Sequence, residues 1–174
     1  MSIPTPPEVP GLKPLLFLNV EALEPISLYT NESENFTTVP IEGGFIKSLD
    51  QENFPFTAKI TNGADDIRKY SHSGEVGNLD CRLYLDLDDG TKAFCHYTGV
   101  VHFKDTVNLV AGGKLSTMGF NDGYVTCHPK FFLDSKSVNY HWLLKQNLIG
   151  KGRFIRENGK LRVQYFIYGF DSKL

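Results

Sequence analysis

From Leu79 to Leu87 apolar and polar residues alternate without a break: Leu79, Cys81, Leu83, Leu85 and Leu87 share one face, Asp80, Arg82, Tyr84 and Asp86 the other. A period of two marks a half-buried strand, because successive side chains on extended backbone point to opposite sides. The tract runs into Asp89-Gly90, a pair suited to the primed turn of a tight hairpin, and resumes as a second strand over residues 92–101. Asn158-Gly159 joins residues 152–156 to 161–168 in the same way. Further strands are predicted over 14–23, 36–41, 44–47, 56–60, 106–110 and 123–132, the rhythm of a sandwich or barrel. Only residues 137–144 read as a short helix, in which Val138, Tyr140, Trp142 and Leu143 can cover one side as a lid, a plug or plain packing.

Eight to ten antiparallel strands in one domain manage their edges best by closing on themselves, and a barrel of about eight strands encloses room for one small ligand. The predicted fold is therefore all-β: an antiparallel lipocalin-like β-barrel with one or two short helices. Prolines at 4, 6, 7, 10 and 14 forbid an early helix, so residues 1–13 are read as a Pro-rich arm and 14–174 as the single barrel domain. A chain of 174 residues, 41% hydrophobic and 22% charged, fits one globular unit.

Charge and cysteines narrow the partners. Eighteen Lys and Arg against 20 Asp and Glu leave a formal charge of -2, which denies the chain the basic field that draws nucleic acid. The charge is uneven, however: residues 21–66 hold nine acids and two bases, residues 129–174 nine bases and three acids. Neighbouring first and last strands would bring these segments together. Three cysteines, Cys81, Cys95 and Cys127, make no paired framework and read as reduced core thiols. With no apolar leader and no apolar run near the roughly 20 residues of a membrane span, the expectation is a cytoplasmic protein without a membrane partner. The sequons at Asn31 and Asn35 then read as chance occurrences. A second copy of the chain, in a homodimer, is the one macromolecular partner entertained.

No Walker loop, GxGxxG, HExxH or GxSxG occurs. The five histidines show no metal-ligand spacing, so neither a metal nor another cofactor is expected, and a cupin-like metalloenzyme is disfavoured. Acid–base work needs a group of near-neutral pKa in a pocket with little water. The catalytic candidates are Asp65, placed in a Gly-Ala-Asp turn, with Asp80 and His96; Arg82, Tyr84, Tyr97 and Trp142 are the ligand-binding candidates. Only one of His96 and Tyr97 can point inward from a regular strand, and both faces of that strand carry apolar residues. Trp142, the lone tryptophan, either closes the barrel over a planar ligand or packs in the core. Cys127 and His128 are adjacent on a strand and cannot pair directly.

Five segments occur in order: Val39-Pro-Ile-Glu-Gly-Gly-Phe45, Asn62-Gly-Ala-Asp65, Leu79-Asp-Cys-Arg-Leu83, Asp88-Asp-Gly90 and Tyr140-His-Trp-Leu143. In this the chain resembles a small single-domain family of bacteria and fungi known as domain of unknown function 3237, over roughly Leu15 to Tyr168. Asn62 stands where the family's first glycine of Gly-Gly-Ala-Asp is usual, and Asp66 where an aromatic is common. The resemblance implies a lipocalin-like barrel and no established activity. Asp80 and Arg82 match family positions, and the pair is accordingly expected on the cavity wall. Two functions compete. One is a barrel binding a small apolar or aromatic molecule, acting on it as a cofactor-free lyase, isomerase or cyclase. The other is a non-catalytic scaffold whose barrel is filled with side chains.

Overall fold

The computed structural model describes residues 3–4 and 11–170. Nine strands run β1 (Leu12–Ala22), β2 (Ile26–Thr30), β3 (Glu34–Ser48), β4 (Thr57–Tyr70), β5 (Val76–Leu87), β6 (Lys92–His102), β7 (Val125–Leu133), β8 (Ile149–Glu157) and β9 (Lys160–Phe170). Each pairs antiparallel with its sheet neighbours, in the order β1-β9-β8-β7-β6-β5-β4-β3-β2, and β1 also pairs with β3. That last pairing closes eight strands into a barrel and leaves β2 as an appended edge. Closure gives every strand but β2 a neighbour on both sides, so most backbone polar groups of the wall are paired within it. The seam is thinnest between β7 and β8, which share only the pairs Thr126 with Lys151 and Cys127 with Gly150.

The two ends of the barrel are different. At one end Leu16, Ile46, Ile60 and Leu85 fill the interior, and a 3-10 segment, Val138–Lys145, plugs it. There Phe56 meets Phe131 and Tyr140 edge-on at 5.3 and 5.4 Å. At the other end the short helix α1 (Asp105–Ala111) lies beside the mouth with Val107 and Val110 buried. Arg156 fastens that mouth, donating to the carbonyls of Val110, Ala111 and Gly159 and meeting Glu24 at 3.2 Å. The acidic segment 21–66 and the basic segment 129–174 do come together here: Glu21 pairs with Arg162 at 3.3 Å and Glu42 with Lys160 at 2.6 Å. Among the described residues no helix is long and apolar enough to cross a membrane.

Several sequence expectations need correcting. Residues 106–110 form helix α1 and not a strand, because Val107 and Val110, three apart, share a helical face that packs on the barrel and overrides β propensity. The separate strands at 36–41 and 44–47 are one, β3, which passes from β2 to β1 between Thr38 and Ile41 and continues through Gly43-Gly44 along β1. The Asp89-Gly90 turn is a three-residue loop in which only Gly90 has positive φ, and not a primed pair; Asn158-Gly159, with both φ values positive, is primed as expected. The Pro-rich arm lies mostly outside the described residues, and its end, Leu12 and Lys13, already belongs to β1.

Candidate functional site

The half of the barrel nearer α1 is not filled. Its cavity opens at the mouth and is walled by Val20, Ala22, Val39, Ile41, Ile67 and Leu79 among other apolar side chains. Three polar residues reach it: Asp65, Tyr97 and Tyr165. Asp65 comes from β4, opposite Val39 of β3 and Cys81 of β5, and points inward by the same alternation that turns Ile67 inward. Two residues earlier, Gly63 lets β5 lie close against β4, since a Cβ there would stand 2.2 Å from the Arg82 carbonyl oxygen. The Gly-Ala-Asp segment is thus strand and not turn, which corrects the sequence reading of Asp65. Tyr97 is almost wholly buried and donates from its hydroxyl to Asp65 Oδ2 at 3.4 Å. Asp65 Oδ1 and the Tyr165 hydroxyl are buried without a hydrogen-bond partner. Burial pushes the Asp65 carboxyl up to about 7, the Tyr97 hydrogen bond opposes this, and the charges of Asp66 and Asp80 reinforce it.

The expectation that Asp80 and Arg82 line the cavity is overturned. On β5 the buried positions are Leu79, Cys81, Leu83, Leu85 and Leu87, and the polar alternates face outward. Moving an uncompensated charge into an apolar interior costs far more than leaving Leu exposed, so the apolar face wins the inside. Asp80 and Arg82 instead join His96 and Asp66 on the exterior: His96 Nε2 lies 2.8 Å from Asp80, and Arg82 lies 3.0 Å from Asp66 and 3.5 Å from Asp80. The His96 hydrogen bond holds the Asp80 carboxyl below the usual carboxylate range. Tyr84 is half exposed in an outer aromatic row with Phe94 and Phe132. Trp142 belongs to the plug at the far end, edge-on to Phe54 and donating to the Pro55 carbonyl. Of the seven candidates, the structure brings Asp65 and Tyr97 together in the cavity and leaves Asp80, Arg82, Tyr84, His96 and Trp142 outside it.

Residues 10–170 match the family described as "Protein of unknown function (DUF3237)". The chain belongs to this family. No curated protein sequence matches it. Among solved structures it is similar to a conserved protein of unknown function from Rhodopseudomonas palustris, at 18% identity and a TM-score of 0.72, covering 95% of this chain and 99% of that one. A β-barrel-like protein from Acinetobacter baumannii gives 23% identity and a TM-score of 0.66, covering 95% and 99%. An enzyme from Penicillium herquei gives 12% identity and a TM-score of 0.58, covering 94% and 98%. At these identities the likeness concerns the fold.

In this DUF3237 barrel the polar residue that sequence reasoning missed is Tyr165. Its signal is the inward series Leu161, Val163, Tyr165 and Ile167 on β9, in which one phenol interrupts an otherwise aliphatic face. The three cysteines are free and buried, and burial pushes their thiols upward, as suits core packing. No group of three His, Cys, Asp or Glu among the described residues is placed to hold a metal ion. The outward position of Arg82 carries its own expectation: Arg82→Ala and Asp86→Ala should each lower stability by under about 1 kcal/mol in urea unfolding, as for other exposed ion pairs. A loss of several kcal/mol at Arg82 alone would restore the buried-pair reading.

Proposed function

We propose that the barrel binds a small, largely apolar molecule in this cavity and moves a proton on it without a cofactor, as a lyase, isomerase or cyclase does. The observation that carries the reading is Asp65: one carboxyl with a free oxygen, set in an apolar cavity beside two phenols. A carboxyl whose proton is held near neutral pH is poised both to give and to take it, and an apolar surround strengthens its hold on whatever polar group the ligand brings. Ile41, Val39, Leu161 and Val163 supply contact for the rest of the molecule. The Penicillium herquei protein, described as an enzyme, supports the reading to the extent that the same barrel carries catalysis there.

Saturable uptake of a neutral apolar dye tests it. N-phenylnaphthylamine fluorescence should saturate at one dye per chain, and Val163→Trp, which places an indole in the cavity, should weaken uptake at least about tenfold. Uptake that never saturates, or that Val163→Trp leaves unchanged, would return the protein to the scaffold reading.

A further inference from the structure

We infer that Asp65 Oδ1 and the Tyr165 hydroxyl form a two-donor cradle for the carbonyl oxygen of the ligand, so that the molecules this cavity takes are uncharged, otherwise apolar ketones or related carbonyl compounds. The inference rests on the proposed ligand-binding reading and adds the chemical class. It begins with two orphans. Asp65 Oδ1 and Tyr165 Oη are both buried, both in residues that line the cavity, and both without a partner. Buried polar atoms left in that state are rare because each carries an uncompensated loss of solvation. A ligand group that meets both removes the two penalties at once.

The polarity of that group follows from where the protons lie. Tyr97 donates to Asp65 Oδ2, which makes Oδ2 the acceptor oxygen and leaves Oδ1 to carry the carboxyl proton. Tyr165 is a phenol with its O–H free. Two donors therefore belong to residues that line one cavity, and what satisfies a pair of donors is a lone-pair acceptor such as a carbonyl oxygen. An anion is disfavoured, because none of the residues lining the cavity is a cation. The groups that face Asp65 are Val39 from β3, Cys81 from β5, Tyr97 from β6, Cys127 from β7 and Tyr165 from β9, and the charged side chains nearest in its field, Asp66 and Asp80, are acids. Burial and these two acids keep Asp65 protonated up to near neutrality, so the cradle holds two donors below that point and one donor beside a carboxylate above it.

Three probes of one shape separate the possibilities: indane, indanone and indane carboxylate, titrated calorimetrically at pH 5.5 and pH 8.5. At the lower pH indanone should bind about tenfold or more tighter than indane, and the carboxylate no better than indane. At the higher pH the advantage of the ketone should fall by about fivefold or more. Asp65→Asn, which retains an N–H donor and cannot ionise, should keep the preference for the ketone and lose its pH dependence, and Tyr165→Phe should reduce the preference at both pH values. Equal binding of indane and indanone overturns the cradle while leaving an apolar binding barrel in place. So does a ketone preference that neither pH nor Tyr165→Phe alters, and so does tighter binding of the carboxylate. Failure of all three probes, together with no saturable dye uptake, overturns the ligand-binding reading as well.

Discussion

Gly44→Ala is expected to cost the protein about 4 kcal/mol or more, enough to prevent folding if the barrel is of ordinary stability. Two independent penalties meet at this position. Gly44 has φ +128, a conformation that L side chains rarely adopt, and a Cβ there would lie 2.0 Å from the Asn19 carbonyl oxygen and 3.2 Å from Ile60 Cδ1. Asn19 cannot retreat cheaply, because it belongs to the β1–β3 pairing that closes the barrel and Gly44 is itself the partner of Val20 there. Relief would mean opening the seam. Gly90→Ala supplies the comparison: its φ is +83, but nothing lies within 4 Å of the added methyl, so only the backbone strain of about 1–2 kcal/mol applies. Equilibrium urea unfolding of the two variants measures the difference, and a loss at Gly44 no greater than at Gly90 would sink this account of the closure. The same geometry gives a physical reason for the second glycine of Pro-Ile-Glu-Gly-Gly.

The sequence was most legible where one face of a strand is wholly apolar and a turn names itself. The alternation of β5 and the Asn158-Gly159 hairpin reveal strands, and the strand rhythm leads to a closed antiparallel barrel. What alternation alone does not state is which face is the inside. The series Leu79, Cys81, Leu83, Leu85, Leu87 already contained the answer, since burying Asp80 and Arg82 in its stead would strand charges in an apolar interior. The motif-like appearance of Asp80 and Arg82 weighed against that simpler physics. Asp65 reads from the sequence as a turn residue, because Gly-Ala before an Asp is turn chemistry; the close backbone of Arg82, which demands a glycine at position 63, is a tertiary fact. Trp142 and Tyr97 show the same limit. Both are aromatic residues in apolar company, and only the register of β6 and the position of the 3-10 plug send one into the cavity and the other to the far end.

Asp65 should make the protein less stable as pH rises from 5 to 8, and Asp65→Asn should abolish most of that slope. The carboxyl ionises near 3.8 when unfolded and at about 7 when folded, with burial as the chief cause. Between these values the folded state holds a proton that the unfolded state has released, so raising the pH favours unfolding. The advantage is complete below the unfolded value, declines across the window up to about 7, and is gone above it. At 1.36 kcal/mol per pH unit the full effect is about 4 kcal/mol, of which about 3 kcal/mol falls between pH 5 and 8. Asp50, Asp80 and Asp89, whose carboxyls are lowered by hydrogen bonds, contribute with the opposite sign and at more acid pH, where they lose their partners as they protonate. Every other titratable group is common to the two proteins, so the comparison of wild type with Asp65→Asn isolates this one carboxyl. Urea unfolding at pH 5 and pH 8 should show the variant overtaking the wild type at the higher pH, and parallel behaviour of the two would mean that Asp65 is not held protonated in the barrel. Such a residue lowers stability at neutral pH, and a plain aliphatic at position 65 would not. Its presence in a cavity that Val, Ile and Leu could have filled is therefore an argument for chemistry at this carboxyl, in keeping with the exchange of stability for function at working sites.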